Sequence, residues 1–232
     1  MSIKIAKYGL DNFLVGVSIG LLFVAIPFFL GLSFALSVFF WFVGALVLLF
    51  FFWFFRDPRR NVPLLAIEDS SIILAPADGK VIEIKEVEEN LVLKQKVHQI
   101  SIFLSPFDVH VNRSPVTGEV FYYSYRPGKF LAAYHPEASE MNEHTLIGVK
   151  NEFGAIAFKQ IAGVLARRVV CVLNSGRKVE AGEKIGMMKF GSRMDILLPI
   201  TSRIFVRKGD RVRSGETIIA RLRKEFEFPN IG

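Results

Sequence analysis

Few residues in this chain can carry chemistry, and they lie in short stretches. Gly191-Ser192 sits within Phe190-Gly191-Ser192-Arg193-Met194-Asp195. A serine hydroxyl can attack the carbonyl of the residue before it through a five-membered ring, and a preceding glycine leaves that carbonyl unhindered. The attack converts the amide into an ester. Elimination of the ester leaves dehydroalanine, which tautomerises to an imine and hydrolyses to a pyruvoyl group and ammonia. Such a cut needs a base and a place for an oxyanion. A Gly-Ser pair alone equally suits a surface turn. Asp108-Val109-His110 adds an acid–base pair, because strand alternation would put Asp108 and His110 on one face and imidazole titrates near neutrality. Pro76-Ala77-Asp78-Gly79 reads as a turn, whose aspartate bonds its own backbone.

Other chemistries find little support. The four histidines, His98, His110, His135 and His144, form no HExxH pair, and no cysteine pair exists, so no metal site is expected. There is no P-loop and no GxGxxG. Cys171, the one cysteine, lies in the apolar run 169–173 and reads as a core residue. The net charge of +7 comes without an aromatic–basic recognition motif. It suits an anionic membrane surface better than nucleic acid.

The elements that must position these residues begin with an anchor. No charged residue occurs from Phe13 to Phe55, about twice the roughly 20 apolar residues one crossing needs. Two transmembrane helices are expected within 13–55, with the break near Pro27–Gly31. A cleaved signal peptide is a poor fit to so long a run. Lys4 and Lys7 precede it, and Arg56, Arg59 and Arg60 follow it. Basic residues on both sides place both ends, and the rest of the chain, in the cytoplasm. Residues 1–60 are thus read as the anchor and 61–232 as a second domain, joined by a Pro-containing linker over 56–66.

That second domain reads as mostly β. Runs at 71–74, 81–87, 97–104, 118–125, 146–150, 155–162 and 169–173 are β-branched or aromatic, with turn residues between them. Only 138–143 and 163–168 suggest helical turns. Gly176-x-x-Val179-x-x-Gly182-Glu183-x-Ile185 recurs as Gly209-x-x-Val212-x-x-Gly215-Glu216-x-Ile218, and Pro76-x-x-Gly79-x-Val81 recurs as Pro115-x-x-Gly118-x-Val120. The pattern resembles the hammerhead turns of lipoyl-type barrel-sandwich domains, duplicated in one chain.

Taken together, 75–80, 105–110 and 186–199 closely resemble the short (type A) phosphatidylserine decarboxylases, and the resemblance covers most of 56–223. It implies a proenzyme cut at Gly191-Ser192 into a β chain, 1–191, and an α chain, 192–232, that remain together as a heterodimer. Ser192 would become a covalent pyruvoyl cofactor. Its carbonyl would form a Schiff base with the amine of phosphatidylserine and accept the electrons released as CO2 departs, giving phosphatidylethanolamine at the cell membrane. The resemblance assigns His110 to the active site and Asp78 to processing. Longer members carry a second histidine where this chain has Arg113, which leaves the processing base to His110, or to Asp78 with a water. Tyr125-x-Pro127-Gly128-Lys129-Phe130 and Gln160-Ile161-Ala162-Gly163 also match. Lys129, Glu143, His144, Arg167 and Arg168 are the candidates for holding substrate. Of these, His144 stands where many members have arginine, and an arginine fork suits a phosphodiester.

Two rivals differ in kind. A membrane-tethered, non-catalytic barrel-sandwich carrier or adaptor would need a lysine at a hairpin tip, for which Lys178 is the nearest residue. A metallopeptidase would need histidine pairs. The oligomeric state is left open.

Overall fold

The structure is a computed structural model that describes residues 4–132, 135, 137–163, 169–189 and 192–223. It divides into two compact units that meet between Arg59 and Arg60.

In the first unit β1 (Lys4–Ile5) pairs antiparallel with β2 (Arg56–Asp57) and closes a hairpin of α1 (Leu10–Leu30) and α2 (Phe34–Phe54). Each helix has 21 residues. At 1.5 Å per residue that is about 30 Å, the thickness of a bilayer's hydrocarbon core. Both are apolar enough to cross one, which associates the chain with a membrane. Small residues let the helices approach: a Cβ on Gly16 would strike the Phe51 ring, and one on Gly20 would strike Leu48. The break falls later than the proline suggests. α1 runs through Pro27 and ends at Gly31, whose left-handed φ of 58° turns its N–H back onto the Pro27 carbonyl.

The second unit is mostly β, as the sequence indicates. Its elements are α3 (Leu64–Glu68), β3 (Ile72–Leu74), β4 (Gly79–Glu89), β5 (Gln95–Leu104), β6 (Val111–Arg113), β7 (Gly118–Arg126), α4 (Ala138–Met141), β8 (His144–Asn151) and β9 (Gly154–Ile161). There follow β10 (Val169–Cys171), β11 (Lys178–Val179), β12 (Lys184–Met188), β13 (Ser192–Pro199), β14 (Arg203–Ile204), β15 (Arg211–Val212) and β16 (Ile218–Arg221). The main sheet has eight strands in the order β11-β7-β8-β9-β13-β5-β4-β15, flanked by three-stranded sheets β10-β12-β6 and β14-β16-β3. Val81 on β4 and Val120 on β7 share one core with Ile102, Ile147, Phe158, Met194 and Ile196. Four strands separate β4 from β7, so the sheet must curl for their side chains to meet.

The sequence repeats are structural repeats. Val179 pairs with Gly118 and Val212 pairs with Gly79, so each rear copy docks on the start of one front copy. The accessory bonds repeat too: Val120 N–H donates to the Arg177 carbonyl as Val81 N–H donates to that of Asp210. Gly176, Gly182, Gly209 and Gly215 all have φ between 73° and 103°, which explains glycine at both ends of each copy.

The linker is more structured than its prolines suggest. Arg60 is buried and forms ion pairs with Asp78 at 2.7 Å and Glu216 at 3.5 Å, so its charge is spent inside the domain.

Candidate active site

Register gathers the chemistry at one end of the main sheet. Arg193 pairs with Phe103 on one side and Ile161 on the other; Ile161 pairs with His144, and His144 with Arg126. Ser192 opens β13 one step beyond this row, opposite Leu104. Loop 105–110, with His110, leaves the same end. So does the 127–143 segment, with Lys129.

Ser192 lies on the face that Met194, Ile196 and Leu198 turn into the core. It is fully buried, and its Oγ has no hydrogen-bond partner. An unmet buried hydroxyl costs about 1–3 kcal/mol, so such a group calls for a reason. The opposite face of the same strand is clamped. Arg193 Nε donates to Asp195 Oδ1 at 2.6 Å, Arg193 Nη2 donates to Ser101 Oγ at 2.9 Å, and Ser139 Oγ donates to Asp195 Oδ2 at 2.7 Å. Arg193 is only 2% exposed and Asp195 not at all. Strand alternation thus splits Ser-Arg-Met-Asp into a core-facing side, which carries Ser192, and an anchoring side. Gly191 lies outside the described residues.

His110 is buried. Its Nδ1 lies 2.9 Å from the Asp108 carbonyl, an acceptor only, so Nδ1 carries the proton and Nε2 is left as the basic nitrogen. Its own carbonyl accepts Met188 N–H, which ties it to the end of β12, just before residue 192. Asp108 does not share a strand face with it, contrary to the alternation expected. Residues 105–110 form a turn, in which the Asp108 carboxylate accepts Ser105 N–H at 2.8 Å. Asx chemistry prevails over alternation here.

Asp78 is occupied. Both its oxygens accept from Arg60 Nη2, at 2.9 and 2.7 Å, and Oδ1 also accepts Ser214 N–H at 2.8 Å. These bonds lock the second repeat turn onto the first. Arg113 donates to the Gly182 carbonyl at 2.9 Å and is likewise part of a repeat turn.

The candidate substrate residues do not converge. Lys129 is exposed, and its backbone bridges to Asn142. The Glu143 carboxylate accepts Val169 N–H at 3.2 Å. His144 donates from Nδ1 to the Asn142 carbonyl at 2.7 Å, and burial, with Lys159 and Arg126 near, pushes its pKa down. By register its side chain is on the Arg193 face, away from that of Ser192. Arg167 and Arg168 lie outside the described residues. Among the described residues no His, Cys, Asp and Glu cluster has metal-binding geometry. Cys171 packs against the core, and burial pushes its thiol pKa up. Lys178 lies in β11 opposite Glu119, not at a hairpin tip.

One group escapes a reading of the sequence. Thr145, Gln160 and Asn112 are fully or almost fully buried on the inward face. Thr145 Oγ1 donates to Gln160 Oε1 at 2.9 Å, and Gln160 Nε2 donates to Asn112 Oδ1 at 2.8 Å. Nothing in the sequence pattern marks these three residues as a group.

Comparison with known proteins identifies the family. The family described as phosphatidylserine decarboxylase matches residues 47–220. Three similar proteins are phosphatidylserine decarboxylase proenzymes. That of Salinibacter ruber is 47% identical over 181 residues, 78% of this chain and 78% of that protein. That of Prosthecochloris aestuarii is 46% identical over 78% of this chain and 81% of that protein. That of Carboxydothermus hydrogenoformans is 47% identical over 79% of this chain and 86% of that protein. With that much of its length matched, and with a buried serine heading the strand where the family motif falls, the chain belongs to the phosphatidylserine decarboxylase family of carboxy-lyases.

Proposed function

We propose that the chain is a precursor that cuts itself between Gly191 and Ser192 and then decarboxylates phosphatidylserine to phosphatidylethanolamine. The observation that carries this reading is Ser192 itself: fully buried, at the head of a central strand, with an Oγ that bonds to nothing. A hydroxyl engaged elsewhere would have to break a bond before attacking. This one does not. The clamp of Arg193 and Asp195 holds the strand while its first residue reacts, which favours a near-attack geometry.

A pyruvoyl group made from Ser192 fits here, because the residue that would become it is already enclosed. Such a group supplies an electron sink for carbon–carbon cleavage next to an amine. The chain's own residues do the rest. Burial at this sheet end excludes water. His110, held through Nδ1–H on the Asp108 carbonyl, would first take up a proton at Nε2 and then give it to the substrate carbon that has lost CO2. The exposed Lys129, on the segment that leaves the same sheet end, suits an anionic head group. Asp78 assists by holding the repeat turns together, through Arg60 and Ser214. Residues 1–191 and 192–232 stay paired after the cut, since β13 is hydrogen-bonded to both β5 and β9.

The two apolar helices keep the enzyme on the bilayer that holds its substrate. Lys4, Lys7, Arg56 and Arg59 flank them and favour a cytoplasmic site. Trp53, with the Arg56 guanidinium 4.0 Å from its ring centre, suits the interface.

Mass spectrometry of denatured active protein tests the reading. Two chains that meet at 191/192, the shorter blocked to Edman degradation, are expected. Ser192→Ala should give one inactive chain. An active, uncut wild-type protein overturns the reading.

A further inference from the structure

Among the described residues, three buried side-chain atoms lack a partner: Ser192 Oγ, Asn112 Nδ2 and Ser202 Oγ. Ser202 belongs to the turn after β13, at the far end of the strand. The other two are linked through Gln160. Gln160 pairs directly with Met194, so on the inward face it is the diagonal neighbour of Ser192, about 7–8 Å away between Cα atoms. Asn112 is hydrogen-bonded to Gln160 and follows His110 by two positions.

The orientation of the Asn112 amide is fixed by its neighbours. Gln160 Nε2 lies 3.5 Å from the Val170 carbonyl, and the Thr145 hydroxyl donates to Gln160 Oε1. A carbonyl only accepts, so the nitrogen of Gln160 faces both Val170 and Asn112. The atom of Asn112 that it meets must therefore be the acceptor, Oδ1. The Asn112 NH2 is left over, fully buried and without an acceptor. Leaving a donor like this costs about as much as leaving the serine hydroxyl unmet. A relay of Thr145, Gln160 and Asn112 maintains it.

We propose that Asn112 is the oxyanion donor for self-cleavage, and that Gln160 and Thr145 are positioning residues that aim it. The inference rests on the proposed cut at Gly191-Ser192. In that step Ser192 Oγ forms a bond to the carbonyl carbon of residue 191, and the C=O π pair moves onto the carbonyl oxygen. Asn112 Nδ2–H donates to that oxygen. The pair then returns, the C–N bond breaks, and the hydroxyl proton ends on the freed nitrogen, giving an ester and an amine. A neutral amide held in a dry site needs no reorganisation to meet the charge, which is how oxyanion donors act.

The experiment follows cleavage of the full chain by gel and mass spectrometry, so it does not depend on decarboxylase activity. Asn112→Asp is close to isosteric and keeps an acceptor for Gln160, but has no NH2. Gln160→Glu leaves Ser192 and Asn112 in place, but can no longer donate to Oδ1. It should turn the Asn112 amide round and withdraw the free NH2. Both variants should melt as cooperatively as the wild type and cut roughly 10²- to 10³-fold more slowly, the range for loss of one such donor. Hydroxylamine cleaves esters. It should not restore cutting in either variant, because the slowed step comes before the ester. Should Asn112→Asp fail to fold, Gln160→Glu carries the same expectation. Folded variants that cut at the wild-type rate, or an ester that accumulates and is cut rapidly by hydroxylamine, overturn the inference. A wild-type chain that never cuts overturns the function reading instead.

Discussion

At the scale of single residues the site separates into polar groups left without partners and groups committed to structural bonds. Ser192 and His110 are both buried, yet one has an unbonded oxygen and the other a fixed tautomer. Asp78 and Glu143, both candidates from the sequence, spend polar atoms on a turn and a backbone N–H, and Arg113, which stands where longer members carry a histidine, donates to a carbonyl. Ser192 stood out in the sequence only through the resemblance of its flanking motif to the family, since a Gly-Ser pair alone suits a surface turn equally well. The Thr145–Gln160–Asn112 relay was not, because its members come from three strands and only tertiary pairing brings them together. The division of labour between cutting and decarboxylation gives a prediction. His110→Ala should still cut at 191/192, though slowly, while phosphatidylethanolamine formation falls by roughly 10²-fold or more, the usual loss for a positioned proton donor. Separate gel and lipid assays read the two steps. If cutting stops altogether, His110 serves both, and the proposed division fails.

At the scale of elements the most readable feature was the duplication, because glycine spacing reports backbone conformation directly. Less readable was what glycine does where strands touch. Gly186 sits in β12, and a Cβ there would lie 1.9 Å from the Val170 carbonyl oxygen of β10. Neither strand can yield without parting the sheet. The same strand end holds His110 through Met188, so the close approach bears on the site. Gly176, by contrast, has a φ of +87° with open space around it. Gly176→Ala should cost only backbone strain, about 1–2 kcal/mol. Gly186→Ala adds a backbone clash, and should cost about 3 kcal/mol or more and slow self-cleavage. Thermal melts of the two variants decide the matter, and equal losses would show that the strand contact is not what requires glycine at 186. The misreading of Asp108-Val109-His110 as a strand has a related origin: alternation is a property of paired backbone, and an Asx turn leaves this stretch unpaired.

At the scale of the whole molecule the chain joins a membrane hairpin to a domain with its own core. The two helices were legible from hydropathy alone, since an uncharged run about twice as long as one crossing needs allows two. What hydropathy could not reveal is that Arg60, read as a flanking charge, belongs to the domain through Asp78 and Glu216. This sets where the chain can be shortened. A protein beginning at Arg60 keeps those ion pairs and the whole β core, so it should fold and cut itself at the wild-type rate. One beginning at Ala66 loses the partner of a carboxylate that is 15% exposed, and should melt lower and cut more slowly. The first protein also isolates the purpose of the anchor. If the hairpin serves to raise the local concentration of a substrate that never leaves the bilayer, its removal should leave decarboxylation of a dispersed short-chain phosphatidylserine unchanged. Decarboxylation of the long-chain lipid in vesicles should fall roughly 10²-fold or more, the lower end of what tethering normally provides. Parallel assays on the two substrates make the comparison internal to one preparation. Equal activity on both would mean that the domain finds the membrane unaided and that the hairpin has another role; equal loss on both would mean that the hairpin supports the fold of the site itself.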